Sequence, residues 1–323
     1  MSPFLLTRTL PEDATDAALR ADVLHGLTRM PKTLPPKWFY DAHGSELFEQ
    51  ITRLAEYYPT RTERAILDVH AQEIAEESGA EMLVELGSGT SEKTRLLLRA
   101  LTGAGTLRRF VPFDVDPAVL EDASAAVAQE FPDLEVQPVV GDFERHLREL
   151  PRHPRRLLAF LGSTIGNLDP AQRAAFLDDV RASLVPGSAF LLGTDLVKSP
   201  DRLVAAYDDT EGVTAAFNKN VLRVLNRELG ADFDLEAFAH RAVWDPENEW
   251  IEMRLESLTA QRVRVDALAL EVELAEGEQV RTEISSKFRR QGIADDLAAA
   301  GLRMTRWWTD PDEDFALSLS VPV

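Results

Sequence analysis

The sequence has no cysteine and no long apolar run. Without cysteine, this chain cannot form a disulfide, a thiolate nucleophile or a zinc–thiolate centre. No apolar stretch approaches the ~20 residues that span a bilayer. The N-terminus also lacks the basic region and apolar core of a signal peptide. We therefore expect a cytoplasmic protein with no membrane association, and we expect it to be a monomer.

Positive charge is also scarce. The chain has 35 Lys and Arg against 55 Asp and Glu, giving a formal net charge of −20. Such a surface repels a polyanion, which favours a small-molecule substrate over nucleic acid. The 6 histidines are scattered without His-x-His or His-x-x-x-His spacing. The sequence therefore predicts no metal site.

The most informative stretch present is residues 81–95, which read EMLVELGSGTSEKTR. A short apolar run meets Gly87 and Gly89 and then a helix-favouring segment, the order of a nucleotide-binding strand–turn–helix unit. Glu92 occupies the position of the third glycine of the dinucleotide motif, which argues against NAD. Together with the preceding Glu85, this favours S-adenosylmethionine (SAM). Another nucleotide or a purely structural turn are the alternatives.

Later apolar runs end in residues suited to the same ligand. Asp114 ends the second run and could accept hydrogen bonds from two ribose hydroxyls, or be an ordinary strand-end aspartate. Asp142 and Phe143 follow the third run and could hold an adenine, or form a turn. Two further runs, 156–161 and 189–192, also end in small or acidic residues. Five such runs predict a parallel sheet with its ligand at the carboxyl edge.

The C-terminus predicts a helix over 292–300 and strands over 302–308 and 315–321. Class I SAM-dependent methyltransferases close their sheets with an antiparallel hairpin of this kind, so the analogy implies an α/β, Rossmann-like, mostly parallel seven-stranded sheet. We assign residues 61–196 and 287–323 to this SAM-binding domain. Residues 1–60 and the insertion 197–286 are left over, and we assign them to a second, α+β substrate-binding domain.

The leftover segments contain aromatic and polar residues of interest. Trp38, Phe39 and Phe48 are expected in the core. The tyrosines Tyr40, Tyr57 and Tyr207 fit either the core or a pocket, because a buried hydroxyl needs a partner. On a predicted strand, Glu283 and Ser285 share one face and could read the two nitrogens of an imidazole. The alternative is an exposed strand face.

Taken together, these residues resemble the histidine-specific Nα-methyltransferases of ergothioneine biosynthesis, over essentially the whole chain. That resemblance implies transfer of three methyl groups from SAM to free L-histidine, giving hercynine and S-adenosylhomocysteine. The same chemistry on another amino compound, such as tryptophan, and a non-catalytic SAM-binding regulator are the alternatives. The most specific stretches are 34–41, 56–63, 84–94, 160–167 and 215–218.

The resemblance also implies roles for individual residues. It implies that Tyr40 lies near the amino nitrogen, and we hypothesise that Tyr40, Tyr57 and Asn167 are catalytic because their side chains could orient the amine lone pair and pass the amine proton to water. The SAM contacts implied are Gly87, Lys93, Asp114, Asp142 and Phe143. The histidine contacts implied are Tyr57, Gly162, Asn167, Tyr207, Met253, Glu283, Ile284 and Ser285.

Overall fold

The computed structural model describes residues 6–9 and 14–323 and divides the chain into two units. The first unit contains residues 59–196 and 288–323 with the described part of residues 1–11. The second contains residues 197–287 and the described part of residues 12–58. The observed division differs from the sequence assignment at the N-terminus, because Thr7–Arg8 pairs with a strand of the first unit.

The strands are named in chain order. They are β1 Thr7–Arg8, β2 Met82–Leu86, β3 Arg109–Asp114, β4 Glu135–Val136, β5 Val139–Val140, β6 Arg156–Phe160, β7 Ala189–Asp195, β8 Phe238–Asp245, β9 Trp250–Ser257, β10 Gln261–Val265, β11 Leu270–Leu274, β12 Gln279–Ser286, β13 Leu302–Thr309 and β14 Phe315–Pro322.

The α-helices follow the same convention. They are α1 Ala14–Leu27, α2 Ala42–Ile51, α3 Pro59–Ser78, α4 Thr94–Gly103, α5 Pro117–Glu130, α6 Phe143–His146, α7 Pro170–Ser183, α8 Pro200–Tyr207, α9 Val213–Leu229 and α10 Arg290–Ala299. No helix of the described residues is both long and apolar enough to cross a membrane.

The first unit is built on a 9-stranded sheet with the order β1-β5-β3-β2-β6-β7-β14-β13, in which β4 also pairs with β3. Strands β1 to β7 are parallel, whereas β14 and β13 form the antiparallel hairpin expected from the C-terminus. The order reverses at β2, which lies between β3 and β6. In open α/β sheets such a switch point, at the carboxyl ends of the strands, is where ligands bind.

The expected α/β fold is therefore present, with more strands than the seven predicted. The third strand position is split into β4 and β5 around Pro138, which has no N–H to donate to the ladder. The short β1 then adds to the edge of β5. Strands β2, β6 and β7 are buried along their full length, since helices cover both faces of the sheet.

The second unit is α+β, as predicted. Its larger sheet is antiparallel with the order β12-β9-β8, and β10 and β11 form a separate hairpin. Between β10 and β11 lies a 3₁₀ turn at Asp266–Leu268, followed by Ala269 at φ +46°. Apolar residues of α1, α2, α8, α9 and the two sheets form one core.

Candidate active site

The turn after β2 takes the conformation that its glycines permit. Gly87 and Gly89 have φ values of +65° and +48°, in the left-handed region that favours glycine. An added Cβ at either position would meet nothing within 4 Å. The glycines are therefore required by backbone conformation, and the turn borders open space. The Gly87 and Ser88 N–H groups donate to the Phe113 carbonyl at 2.8 and 3.1 Å, which ties this turn to β3.

Asp114 lies at the end of β3, beside that turn. Its carboxylate accepts the Gly89 N–H at 2.9 Å and the Asp116 N–H at 3.1 Å. Burial raises the pKa of Asp114, and the backbone N–H bonds oppose that rise by stabilising the charged form. A carboxylate offers about four lone-pair sites, so Asp114 keeps capacity for further donors.

Asp142 and Phe143 lie one strand further along the sheet. Asp142 caps α6 by accepting the Glu144 N–H at 2.9 Å through Oδ1, so the turn expected as an alternative is present. The half-buried Phe143 ring lies 5.1 Å from the Phe160 ring, centroid to centroid. The helix cap uses Oδ1 of Asp142 and does not compete with a ligand for Oδ2.

Lys93 is held by a residue whose role sequence reasoning missed, Glu63 on α3. The fully buried Glu63 carboxylate forms an ion pair with the Lys93 ammonium. It also accepts the Gly162 N–H, at 2.8 Å to Oε1 and 3.0 Å to Oε2. A Cβ at Gly193 would lie 2.1 Å from Glu63 Oε1, so glycine there makes room for the carboxylate. Glu63 thus ties together the segments that follow β2 and β6.

Glu85 lies beneath the glycine turn rather than in it. Its side chain accepts a hydrogen bond from the Thr94 hydroxyl at the start of α4, and its Oε2 has no partner among the described residues. Burial raises the pKa of Glu85 to about 8. Glu85, which helped to indicate SAM in the sequence, therefore supports the glycine turn by bonding to the start of α4.

Gly162 and Asn167 occupy the segment after β6. Gly162 and Ser163 both have positive φ, +78° and +58°. Thr164–Asn167 then forms a 3₁₀ turn that leaves Asn167 half-buried. The Ser163 hydroxyl accepts the Asp195 N–H at 2.9 Å and fixes this segment to the end of β7.

In the second unit, Tyr207 and Ser285 contact each other directly. The Tyr207 hydroxyl, on α8, lies 2.8 Å from Ser285 Oγ, on β12. Lys287 donates to both oxygens, at 2.9 and 2.7 Å. All three side chains are buried. Ser285 therefore lies in a buried polar cluster and not on the exposed strand face considered as an alternative.

Glu283 and Met253 are directly opposite each other in the β9–β12 register. The register shifts between Arg281 and Glu283, and such bulges re-aim side chains. Past the bulge, successive side chains alternate between faces, which places Ile284 on the opposite face from Glu283 and Ser285.

A buried network outside the predicted set supports these residues. Asn218 Oδ1 accepts the Thr282 hydroxyl at 2.6 Å, and Asn218 Nδ2 donates to His240 Nδ1 at 2.8 Å. His240 Nε2 donates to the Tyr207 carbonyl at 2.8 Å. Burial lowers the pKa of His240, which favours the neutral ring. The stretch 215–218 pointed to Asn218 without giving it a role.

The aromatic residues of the second unit form a connected group. The Tyr57 ring lies 6.3 Å from that of Tyr207, and the Tyr40 ring lies 5.5 Å from that of Phe48, centroid to centroid. Phe39 is fully buried in the core, as expected, whereas Trp38 and Phe48 are partly buried and pack against it. Tyr40 is 42% exposed. Tyr57 and Tyr207 are thus brought together, and Tyr40 adjoins them through Phe48.

The chain is similar to known methyltransferases over nearly its full length. A family model described as "Histidine-specific methyltransferase, SAM-dependent" matches residues 19–322. The histidine N-alpha-methyltransferase of Mycolicibacterium smegmatis is 60% identical, over 98% of both chains. That of Mycobacterium tuberculosis is 58% identical, over 96% of this chain and 97% of the relative. Ergothioneine biosynthesis protein 1 of Neurospora crassa is 29% identical, over 88% of this chain and 32% of the relative.

Proposed function

This chain belongs to the SAM-dependent, histidine-specific methyltransferase family, and from that premise we propose which of its residues carry out the reaction. The enzyme is a SAM-dependent N-methyltransferase that acts on the α-amino nitrogen of L-histidine. Its products are hercynine and S-adenosylhomocysteine, and the reaction is the first step of ergothioneine biosynthesis. The observation that carries the proposal is the Glu283 and Ser285 pair on β12, next to Tyr207.

Donors and acceptors of the first unit support the assignment of SAM to it. The glycine turn borders open space and is followed by α4, whose N-terminus favours a negative group. Asp114 keeps acceptor capacity for ribose hydroxyls, and the Lys93 ammonium suits a carboxylate. We assign Gly87, Lys93 and Asp114 to the ribose and amino-acid parts of SAM, and Asp142 with Phe143 to its adenine.

In the second unit we assign the imidazole ring of histidine to Glu283 and Ser285. A neutral imidazole has one N–H donor and one bare nitrogen. The Glu283 carboxylate would accept the ring N–H, and the Ser285 hydroxyl would donate to the bare nitrogen. Met253 lies opposite Glu283 and would pack beside the ring. Ile284, on the other strand face, would contribute only through its backbone.

A second set of residues is assigned to the head group of histidine, which is its α-amino and carboxylate groups. In the second unit we assign Tyr57 and Tyr207 to it, with Tyr40 near the amino nitrogen. In the first unit we assign Asn167 and Gly162. Tyrosine hydroxyls and a carboxamide can each donate and accept hydrogen bonds, so they fit a group that carries both a carboxylate and an amine.

When bound, SAM supplies a methyl group that its sulfonium has already activated. The chain's task is to present a neutral amine at a near-attack distance of about 3–3.5 Å. We propose that Tyr40, Tyr57 and Asn167 orient the nitrogen lone pair and pass its proton to water before each transfer. After the third transfer the nitrogen has no lone pair, and the reaction stops.

The test is mass spectrometry of the purified protein with SAM and an equimolar pool of the proteinogenic amino acids. We expect histidine alone to gain mass, equal to three methyl groups. A parallel reaction with S-adenosylhomocysteine in place of SAM is the control. Methylation of a different amino acid would contradict the ring assignment. SAM binding without any methylation would favour a non-catalytic SAM-binding protein.

We further propose that the enzyme acts as a monomer in the cytoplasm. Both sets of candidate residues lie on one chain, which supports a self-sufficient monomer. Light scattering coupled to size-exclusion chromatography should give a mass near 36.0 kDa, and twice that mass would contradict the proposal.

A further inference from the structure

We propose that Lys287 is a specificity-determining residue that makes the Ser285 hydroxyl a donor only, so that the second unit accepts only neutral histidine rings. This inference rests on the proposed function. It assigns a role to a buried cation that neither the SAM assignment nor the ring assignment uses.

Lys287 lies where it can control Ser285. It is 3% exposed, and its ammonium lies 2.7 Å from Ser285 Oγ and 2.9 Å from Tyr207 Oη. The ammonium also lies 4.6 Å from the centroid of the Tyr207 ring. The two hydroxyl oxygens are 2.8 Å apart, which closes a triangle of hydrogen bonds.

The directions of these hydrogen bonds follow from the groups themselves. An ammonium has three donors and no acceptor, so Ser285 Oγ accepts from Lys287. A phenol is more acidic than an aliphatic alcohol and is the stronger donor, so Tyr207 donates to Ser285. Both lone pairs of Ser285 Oγ are then occupied. Only its own O–H is left for a ligand, and it can only donate.

A donor-only hydroxyl selects one form of the ring. In neutral histidine the bare nitrogen accepts from Ser285 while Glu283 accepts the ring N–H. In the imidazolium form both nitrogens carry hydrogen, so a second N–H would face the Ser285 proton. The imidazolium would also bring a second positive charge near Lys287. The triangle therefore rejects the cation and fixes one tautomer of the neutral ring.

The other charged and titratable groups around the triangle do not supply this selectivity. Asp208 and Asp209 follow α8, and Glu283 lies on β12 itself, and all three would favour a cation. On β8, His240 accepts a hydrogen bond at Nδ1 from Asn218, which is the pattern of a neutral ring, and burial lowers its pKa in the same direction. The backbone N–H of Lys287 donates to the Glu249 carbonyl, so the Glu249 backbone lies beside Lys287. Lys287 is thus the positively charged group that counteracts these acids and disfavours binding of an imidazolium ring.

The test compares histidine with 2-fluorohistidine, whose ring stays neutral across the range from pH 5.5 to pH 8. Dissociation constants are measured by calorimetry with the full chain saturated with S-adenosylhomocysteine. We take the ratio of the dissociation constant of histidine to that of 2-fluorohistidine. This ratio cancels titrations of the protein that affect the binding of both ligands equally. In the wild type we expect this ratio to rise about tenfold for each pH unit below ~6.5, as neutral histidine is depleted.

In Lys287→Met we expect the ratio to change less than about threefold over the same range, because Ser285 regains a lone pair and accepts the second N–H. Lys219→Met removes a charge from α9 in the same unit and should behave as the wild type. The same rise in Lys287→Met as in the wild type would overturn the inference, as would a flat ratio in the wild type.

A second measurement keeps the inference testable if Lys287→Met does not fold. Nitrogen chemical shifts of ¹⁵N-labelled histidine bound to the wild type should show one bare and one protonated ring nitrogen from pH 5.5 to pH 8. Two protonated nitrogens at pH 5.5 would overturn the inference. Failure of histidine to bind at any pH would instead overturn the proposed function.

Discussion

In the proposed site, Glu283 is the residue on which recognition of the imidazole ring would depend most directly. It is half-buried on β12, past a bulge that sets its direction. Glu283→Ala should weaken histidine binding by about 1.5–3 kcal/mol, the usual value of a hydrogen bond to a charged group. It should also relax the preference for histidine over other amino acids. Calorimetry in the presence of S-adenosylhomocysteine measures both effects.

The matched control for that change is Glu273→Ala. Glu273 is an exposed strand glutamate of the same unit, paired with Arg262 at the surface. It should leave histidine affinity unchanged. If Glu283→Ala also retains wild-type affinity, the assignment of the imidazole ring to Glu283 is wrong.

Among individual residues, the sequence predicted the positions of those that follow a local pattern. Asp114 lies at a strand end, and Glu283 and Ser285 share a strand face, because strand ends and alternation can both be read along the chain. Glu63 and Lys287 were missed. Glu63 meets Lys93 across 30 positions of sequence, and Lys287 meets Tyr207 across 80. Such pairs depend on how helices pack against sheets, which local patterns do not encode.

Among secondary-structure elements, α9 positions β12 and α8 through Asn218. Asn218→Ala should leave His240 and Thr282 without this partner inside the core and lower the free energy of unfolding by about 1–3 kcal/mol. Because the network reaches the Tyr207 backbone and the bulge before Glu283, it should also raise the KM for histidine several-fold. Denaturant unfolding and steady-state kinetics measure the two effects.

Asn226→Ala supplies the comparison from the same helix. The Asn226 side chain donates to the Phe233 carbonyl at 2.8 Å and accepts the Phe233 N–H at 2.9 Å, so its hydrogen bonds to Phe233 lie outside the Asn218 network. It should lower stability similarly and leave KM unchanged. An equal rise of KM in both variants would show that loss of stability alone accounts for the effect.

The elements themselves were largely predictable because the buried strands of the sheet are apolar runs in the sequence. The C-terminal helix and hairpin were correctly predicted, and Gly301, at φ +76°, follows that helix as a glycine often does. The short β1 was not predictable, because it contains two residues and has no periodicity to detect. It exists only because β5 offers unpaired backbone groups. The third apolar run was predicted as one strand, and its division into β4 and β5 was not predictable from periodicity.

For the molecule as a whole, buried Glu85 makes stability depend on pH. Its pKa is about 8 in the folded state, against 4.5 for an ordinary glutamate. The folded state therefore holds the proton more tightly, and stability falls as pH rises from about 4.5 to about 8. A difference of one in pKa between the folded and unfolded states corresponds to about 1.4 kcal/mol, so the loss amounts to a few kcal/mol.

Glu85→Gln removes this titration and can keep the Thr94 hydrogen bond. Thermal unfolding without ligands should show the variant close to the wild type near pH 5 and several degrees more stable near pH 8.5. Glu121→Gln, at an exposed position of α5, should follow the wild type throughout. A constant difference between Glu85→Gln and the wild type at both pH values would contradict the prediction.

The chain leaves the first unit after Leu196 and re-enters it at Phe288. These two residues form a parallel bridge, and the Phe288 N–H donates to the Asp195 carbonyl at 2.8 Å. Residues 197–287 are thus an inserted segment, here called the guest, and the first unit is its host. The host residues that flank the guest are adjacent, which is the arrangement in which domain insertion is best tolerated. Evolution can exchange or remodel such a guest while the host sheet keeps its strand order. Under the proposed assignment of the histidine ring to this segment, new acceptor amines would be acquired there while the SAM-binding sheet is inherited unchanged.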